Sequence, residues 1–238
     1  MSGEAMVVTA TLSSPLGGDP PHLDALLVSV AARLAGKPEG LEGHKIGRSG
    51  PCPDSSLVPI AVLRTRAGPW QVSRCSSPVL GPVADDGVAH FAKRIGVEYA
   101  GLLAPGERKA VVTTNTWTKS YRLPLRTRVV GRVAWLCVGE RRGLRSLLKL
   151  VHAVGSKTAH GFGRVAGWAV ERVGDGSVPH DRWPWWLDSD AGPVLMRPLP
   201  VGPGCPDWPA FAGARRDFGA VVPPMWHPGQ FCEAVTPC

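Results

Sequence analysis

The sequence has little that suits a membrane protein or a secreted protein. Its longest apolar runs stop well short of the roughly 18 residues that a membrane-spanning helix needs, although 44% of the residues are hydrophobic. The first residues, MSGEAMVVTATLSS, carry an acid and lack the basic start and long apolar stretch of a secretory signal. We therefore expect a cytoplasmic protein that does not enter a membrane.

Metal ligands and catalytic groupings are also scarce. The six cysteines are scattered without a C-x-x-C pair, which argues against a zinc ribbon and against a redox motif. No paired carboxylates and no serine-histidine-acid arrangement stand out in the sequence. We expect reduced thiols that are mostly buried, no cofactor, no metal and no metal-dependent nuclease chemistry.

Acidic residues are nearly absent from residues 108–164, where thirteen lysines and arginines accompany a single acid, Glu140. Over the whole chain, 27 basic residues exceed 19 acidic ones and give a net charge of +8. Such an asymmetry favours a polyanionic partner, and nucleic acid is the leading hypothesis. A basic helix on a membrane surface is the alternative, but the apolar face of the basic segment suits a protein core better.

Periodicity predicts strands and helices over residues 1–173. The predicted elements are a strand at 6–13, a helix at 22–35 that stops at Gly36, a hairpin at 57–66 and 70–76, a short helix at 90–95, a strand at 129–138, a helix at 140–155 and a strand at 164–173. This order predicts an α+β fold, specifically a ferredoxin-like (RRM-like) sandwich with an insertion or extra strands between its halves.

The helix predicted at 140–155 has two different faces. One face carries only aliphatic residues and the other carries Arg142, Arg145, Lys149 and His152. We expect the aliphatic face to pack on the core and the basic face to remain open. Gly155 is predicted to end this helix as a left-handed cap.

Residues 174–238 differ in character from the residues before them. They are rich in proline, glycine and tryptophan and have almost no helical period. Because large aromatic side chains are costly to leave in water, we predict an ordered but irregular extension that packs on the domain formed by residues 1–173.

The segment GSKTAHGFGR, residues 155–164, connects the basic helix to the following strand. Glycines in a G-x5-G-x-G spacing permit positive φ and a close ligand approach, and free N–H groups there can bind phosphate oxygens. Lys157 and Arg164 add charge, while Phe162 can stack on a base or pack beneath the loop. We interpret the segment as an RNA-backbone loop, with a plain turn as the alternative. Because it follows a helix and precedes a strand, it is neither a nucleotide P-loop nor a dinucleotide fingerprint.

This loop resembles the glycine-rich loop of the RAMP proteins of CRISPR systems. More narrowly, residues 121–173, together with the later motifs MRPLP and PPMWHPGQ, are similar to the Cas-five-like subunit of type IV CRISPR effector complexes. The shared motifs are the glycine loop, YRLPL at 121–125, RPLP at 197–200 and WHP at 226–228. The first half of the chain agrees only in its β-α-β order.

The resemblance implies a non-catalytic assembly role. Such subunits hold the 5′ handle of the CRISPR RNA, cap a filament of Cas-seven-like backbone subunits and contact a large subunit at the foot of the complex. A thumb or finger often helps, and residues 107–123 are the candidate for it, with an ordinary exposed hairpin as the alternative. Residues 43–48 are a weaker RNA-contact candidate. The residues predicted to bind RNA are Lys45, Arg48, Trp117, Lys119, Tyr121, Arg122, Arg145, Lys149, Gly155, Lys157, His160, Gly161, Phe162, Gly163 and Arg164.

Two other functions fit parts of the sequence. Some RAMP proteins cut repeat RNA without a metal, and His160 or His44, with Lys157 stabilising the transition state, would serve such a reaction. The spacing shows no assembled pair, so a metal-independent endoribonuclease is the alternative hypothesis. An RNA-binding protein unrelated to CRISPR is the third, although it has no reason to keep the YRLPL, RPLP and WHP motifs.

Overall fold

A computed structural model describes residues 3–35, 59–93, 121–174, 183–223, 225 and 228–237. The described residues form two α-helices, short 3₁₀ turns and fourteen strands whose pairings are antiparallel, which confirms the α+β class. In chain order the elements are β1 Glu4–Leu12, β2 Leu16–Gly17, α1 Leu23–Leu34, β3 Arg64–Ala67, β4 Trp70–Ser73, β5 Val79–Leu80, β6 Val83–Lys93, β7 Tyr121–Val130, β8 Arg132–Gly139, α2 Arg141–Leu148, β9 Val165–Arg172, β10 Trp186–Leu187, β11 Val194–Leu195, β12 Leu199–Pro200, β13 Arg215–Ala220 and β14 Phe231–Thr236. In the described ranges, no helix combines the length and the apolar character that crossing a membrane requires.

The central sheet has the strand order β5-β8-β1-β9. In β1, the buried side chains of Met6, Val8 and Ala10 alternate with more exposed ones, as expected for a strand with one face on the core. The main core lies on this face, where residues from α1 and α2, among them Leu27 and Leu144, pack with the sheet residues. Both helices therefore cover the same face of the sheet.

The predicted strand at the start of the chain, helix α1 and strand β9 are confirmed within one or two residues at each end. The hairpin predicted around residues 67–69 is confirmed in a shortened form, since β3 and β4 pair only from Arg64 to Ser73. The α1 pattern was readable because its leucines and valines repeat at the helical period without interruption.

Helix α2 is shorter than predicted and ends at Leu148, with Lys149 as its cap. The prediction that Gly155 caps it is therefore wrong. The segment after the helix pairs with another part of the chain: the Val154 N–H donates to Gly163 O at 2.9 Å and the Val165 N–H donates to His152 O at 2.9 Å. Val154 is buried in this conformation. Its position in the apolar pattern of residues 140–155 therefore reflects its burial and not a continuation of the helix.

The short helix predicted at 90–95 is wrong, because His90 and Phe91 lie in strand β6. This strand pairs with β7 along almost its whole length, with Phe91 opposite Leu123. The strand predicted at 129–138 is also two strands, divided at Gly131: β8 joins the central sheet, whereas β7 joins β6 and β2 in a separate sheet. We call the pair of β6 and β7 the arm.

The C-terminal described residues form two small sheets and a second core. Trp185, Leu195 and Leu199 are buried there, together with Ala67 and Val72 of the β3–β4 hairpin. The Trp185 Nε1–H donates to Ser73 O at 2.9 Å. The tryptophan-rich part of the chain thus packs against residues from the N-terminal half.

Arg197, the first residue of the RPLP motif, is fully buried at the boundary between these two parts of the chain. Its guanidinium forms an ion pair with buried Asp24 of α1, at 3.3 Å. It also donates to Ser73 O at 2.8 Å and to Val221 O at 2.8 Å. These contacts link α1, β4 and the C-terminal segment through one cation, a role that the sequence analysis did not assign to the motif.

Four cysteines fall within the described residues, and all four are free thiols. Cys75 and Cys137 are buried and lie opposite each other in an isolated β-bridge, as expected of small apolar residues. Burial raises the pKa of the Cys75 thiol to about 12, so this group is uncharged at neutral pH.

Candidate nucleic-acid interface

The glycine loop, residues 155–164, has the backbone that its sequence predicts. Gly155, Lys157, Gly161 and Gly163 all have positive φ, between 57° and 93°. At Gly163 a Cβ atom would lie 1.8 Å from Val154 O, whereas at Gly161 it would meet nothing within 4 Å. Gly163 is therefore required by packing and Gly161 by its backbone conformation alone.

Residues 13–17 hold both ends of the glycine loop. The Ser156 N–H donates to Gly17 O at 2.6 Å and the Gly163 N–H donates to Pro15 O at 2.8 Å. The Ser14 hydroxyl donates to Gly161 O at 2.8 Å and accepts from the Arg164 N–H at 2.8 Å. This anchoring, which no motif in the sequence indicated, fixes the loop while its middle stays on the surface.

The middle of the loop presents donors to solvent. Residues 156–160 are exposed, and a 3₁₀ turn covers Thr158–His160. Within the part of the chain that the structure describes, the backbone N–H groups of Lys157, Thr158 and Ala159 have no hydrogen-bond acceptor. Successive free N–H groups that follow a left-handed residue form a concave surface that suits an anion.

Phe91 of the arm lies beneath two loop side chains. The Lys157 Nζ atom sits 4.2 Å from the centre of the Phe91 ring, and the His160 ring meets it edge-on with centroids 4.5 Å apart. A cation over an aromatic face is attracted by the ring quadrupole. Phe91 was missed in the sequence because its strand was predicted to be a helix, and only the pairing of β6 with β7 brings it to the loop.

Phe162 packs beneath the loop. A Cβ atom built on Gly17 would lie 3.1 Å from the Phe162 Cβ, and Phe162 is half-buried.

The arm carries three arginines on β7, and two of them have acidic partners. Arg126 pairs with Asp86 at 2.5 Å and holds the pKa of that carboxyl below its usual value. Arg128 pairs with Asp19. Arg122 is exposed and forms no ion pair with any described residue. The predicted contact residue Arg122 is thus the arginine of β7 with the least neutralised charge.

The basic face of α2 is open, as the periodicity predicted. Arg145 and Lys149 are exposed, and neither forms an ion pair among the described residues. No hydrogen bond or ion pair within those residues links either side chain to the glycine loop.

The predicted RNA-binding residues that the structure describes divide into three groups. Gly155, Lys157, His160, Gly161, Phe162, Gly163 and Arg164 come together in the loop. Tyr121 and Arg122 begin β7, while Arg145 lies on α2 and Lys149 caps its end. Lys45, Arg48, Trp117 and Lys119 lie outside the described residues, as do most of the candidate thumb at 107–123 and the residues Trp226 and His227.

No cluster of three or more histidine, cysteine, aspartate or glutamate side chains that could hold a metal ion occurs within the described ranges. What the loop presents instead is a set of cations and backbone donors. This arrangement suits phosphate oxygens, which accept hydrogen bonds and carry negative charge.

Comparison with known proteins gives one family. The model of a family described as CRISPR type IV associated protein Csf3 matches residues 83–237. The match covers more than half of the chain and includes the arm, α2, the glycine loop and the RPLP motif. No curated protein matches the chain.

Proposed function

Because the chain belongs to the Csf3 family of type IV CRISPR-associated proteins, we propose that it is the subunit that holds the 5′ handle of the guide RNA in a type IV CRISPR complex. The resemblance to the Cas-five-like subunit, first seen in residues 121–173, is confirmed by this membership. Family membership implies a subunit of such a complex. The RNA-holding role is the step that the glycine loop supports.

We further propose that the central sheet and its two helices form a ferredoxin-like RAMP domain. The support is the antiparallel order β5-β8-β1-β9, with α1 following β1 and α2 lying between β8 and β9. In this interpretation β2, β3, β4 and the arm are additions to a β-α-β-β-α-β unit. Residues 1–173 would form the domain and residues 174–238 its extension.

The observation that carries the RNA proposal is the charge and hydrogen-bonding state of the glycine loop. Lys157 and Arg164 are exposed and form no ion pair among the described residues. Residues 13–17 hold the loop through hydrogen bonds at both of its ends. The solvent-facing N–H groups and cations of the loop are therefore already in position before a ligand binds. Pre-arranged donors lose little conformational entropy on binding, which favours a phosphate backbone at this position.

The arm supports the proposal of a thumb. Residues 121–123, the last three of the candidate thumb at 107–123, begin β7 of the arm, and the rest of the candidate lies outside the described residues. The described part of β7 contributes exposed Arg122 and Leu123, a cation and an apolar side chain. Through Phe91 the arm contacts Lys157 and His160, so RNA held by the loop would pass beside the arm.

The remaining parts of the proposal follow from the family role. The protein would cap a filament of Cas-seven-like backbone subunits, contact a large subunit, act in the cytoplasm and perform no catalysis. A metal-independent endoribonuclease that uses His160 is the competing function, and a cleavage assay separates the two.

The experiment is co-expression of the full chain with a type IV backbone subunit and a CRISPR array, followed by purification and sequencing of the bound RNA. We expect a discrete guide RNA with an intact 5′ handle, and its loss in the variant Lys157→Gln/Arg164→Gln. The matched control is Arg66→Gln, which removes an exposed arginine of β3 outside the loop.

Two results would contradict the proposal. If the double variant retains as much guide RNA as the control, the glycine loop does not carry the binding. If the purified chain cuts repeat RNA and His160→Ala abolishes the cleavage, the chain is the competing endoribonuclease.

A further inference from the structure

A pocket of about 430 Å³ lies beside the glycine loop, on the side of β9. It is lined by Ser13, His152, Ala153, Thr158, Arg164 and Val165. The pocket exists because the chain after α2 runs along the start of β9: Ala153 forms a bridge with Arg164, and the Val165 N–H donates to His152 O. Of the six lining residues, only Arg164 was predicted to bind RNA.

The polar side chains of the pocket can donate hydrogen bonds, and no acidic side chain among the described lining residues neutralises their charge. Arg164, His152 and Thr158 are exposed, and none of the described residues that line the pocket is acidic. Arg164 forms no ion pair among the described residues. Among the described residues, the hydrogen-bond partner of the Ser13 hydroxyl is Arg164 O, at 3.4 Å. A guanidinium, an imidazole and two hydroxyls around one space suit a phosphate group, since the planar guanidinium can donate to two of its oxygens at once.

The rest of the pocket is apolar. Ala153 and Val165 form a small apolar wall next to the polar groups. Pockets that bind small molecules generally enclose about 300–1,000 Å³, so a volume near the lower end of that range accommodates one nucleotide. A continuous strand would not fit, because its neighbouring nucleotides need space beyond the pocket.

We propose that this pocket binds a single nucleotide, with its phosphate on Arg164, His152 and Thr158 and its sugar or base against Ala153 and Val165. The inference rests on the proposed function, since bound guide RNA is the source of the nucleotide. The proposed function gives the glycine loop contacts with the RNA backbone. The inference adds a neighbouring pocket that holds one nucleotide of that RNA. The nucleotide is either a strand end or an internal nucleotide turned out of the strand.

The direct test is a titration of the isotopically labelled full chain, followed by NMR, with adenosine 5′-monophosphate, adenosine and inorganic phosphate as separate probes. We expect saturable amide shifts at residues 152, 158, 164 and 165 with the monophosphate, and weaker binding of the other two probes. Arg164→Gln and His152→Gln should each weaken monophosphate binding about tenfold, the effect of losing one charge-assisted hydrogen bond. Arg66→Gln should leave it unchanged.

Shifts confined to other residues, or equal affinity in His152→Gln and the parent chain, would overturn the pocket. This failure is distinguishable from failure of the proposed function, because guide RNA binding is read separately in Lys157→Gln, whose side chain does not line the pocket. A result in which Lys157→Gln loses RNA while the monophosphate fails to bind would remove the pocket and keep the RNA-holding role.

RNA oligomers with a 5′-phosphate, a 3′-phosphate or neither distinguish the source of the nucleotide. If His152→Gln weakens only an oligomer with a terminal phosphate, the pocket holds a strand end. If it weakens all three oligomers equally, the pocket holds an internal nucleotide. If it weakens none of them, the pocket does not take part in RNA binding and the inference is wrong.

Discussion

Arg197 and Arg164 differ in both the burial and the charge pairing of their side chains. Arg197 is fully buried, where it pairs with Asp24 and donates to the backbone carbonyls of Ser73, Cys75 and Val221. Arg164 is exposed at the end of the glycine loop, and its side chain forms no ion pair among the described residues. Both belong to motifs that carry the family resemblance.

The difference separates stability from binding. A buried cation with its partners in place serves the folded chain and is unavailable to any ligand. An exposed cation on an anchored loop contributes little to folding and keeps its charge for a partner. The RPLP motif therefore marks the packing of the C-terminal segment on the body, while the glycine loop marks the surface that we assign to RNA.

The largest effect is expected at Arg197. Replacing it by methionine leaves the buried Asp24 carboxylate without its cation, and we expect a loss of about 3–5 kcal/mol in the free energy of unfolding, measured by urea denaturation. Arg215→Met is the matched control, because Arg215 forms an exposed ion pair with Asp217 and its loss should change stability little. Equal losses in the two variants would erase the distinction between buried and exposed arginines.

Removing both buried charges tests whether the unpaired Asp24 carboxylate causes the loss of stability in Arg197→Met. Arg197→Met/Asp24→Leu should recover part of the lost stability, since no unpaired charge then remains in the interior. A double variant less stable than Arg197→Met would mean that Asp24 is stabilised without the arginine.

The two glycines of the loop offer a second comparison. Gly163→Ala and Gly161→Ala both place a side chain at positive φ, which costs roughly 1–2 kcal/mol. At Gly163 the new Cβ also overlaps Val154 O, so we expect the larger loss of thermal stability and of RNA affinity there. If Gly161→Ala is equally damaging, the close approach of Val154 O is not what makes Gly163 necessary.

Protonation of His22, which lies near Arg197, should lower the free energy of unfolding at acidic pH. Burial, followed by the nearby charge of Arg197, lowers the pKa of His22 to about 4, and its Nδ1 atom has no hydrogen-bond partner among the described residues. The unfolded chain binds a proton near pH 6.5, so stability should fall as the pH drops from about 6.5 to 4, on the order of 3 kcal/mol. His22→Gln should flatten this part of the profile measured by urea denaturation. An unchanged slope in the variant would show that His22 is not the responsible group.

The smallest effect is expected at Lys157. If it contacts one phosphate, Lys157→Gln should reduce the slope of log affinity against log salt by about 0.7, measured by fluorescence anisotropy with single-stranded RNA. The same change at Arg66 should leave the slope as it was. A variant with the parental slope would place Lys157 away from the RNA backbone.

Local patterns predicted the elements whose residues repeat without interruption, such as β1, α1 and β9. They failed where a distant partner decides the conformation. Residues 90 and 91 are in a strand because β7 lies beside them, and α2 ends at Leu148 because residues 152 and 154 bond to the far side of the glycine loop. Neither partner is visible in a short window of sequence.

The site was predictable to a similar extent. Glycine spacing and charge located Lys157 and Arg164, since both signals are local. Phe91 and the anchoring residues 13–17 are brought to the loop only by tertiary packing. The buried role of Arg197 was hidden for the same reason, because a motif does not reveal whether its cation faces solvent or a buried carboxylate.

The most direct test of the account is hydrogen exchange of the full chain with and without guide RNA. We predict that RNA slows amide exchange in residues 155–164 and leaves residues 195–200 around Arg197 unchanged. Slowed exchange at other surfaces, with the glycine loop exchanging as fast as in the free chain, would contradict the assignment of the loop to RNA.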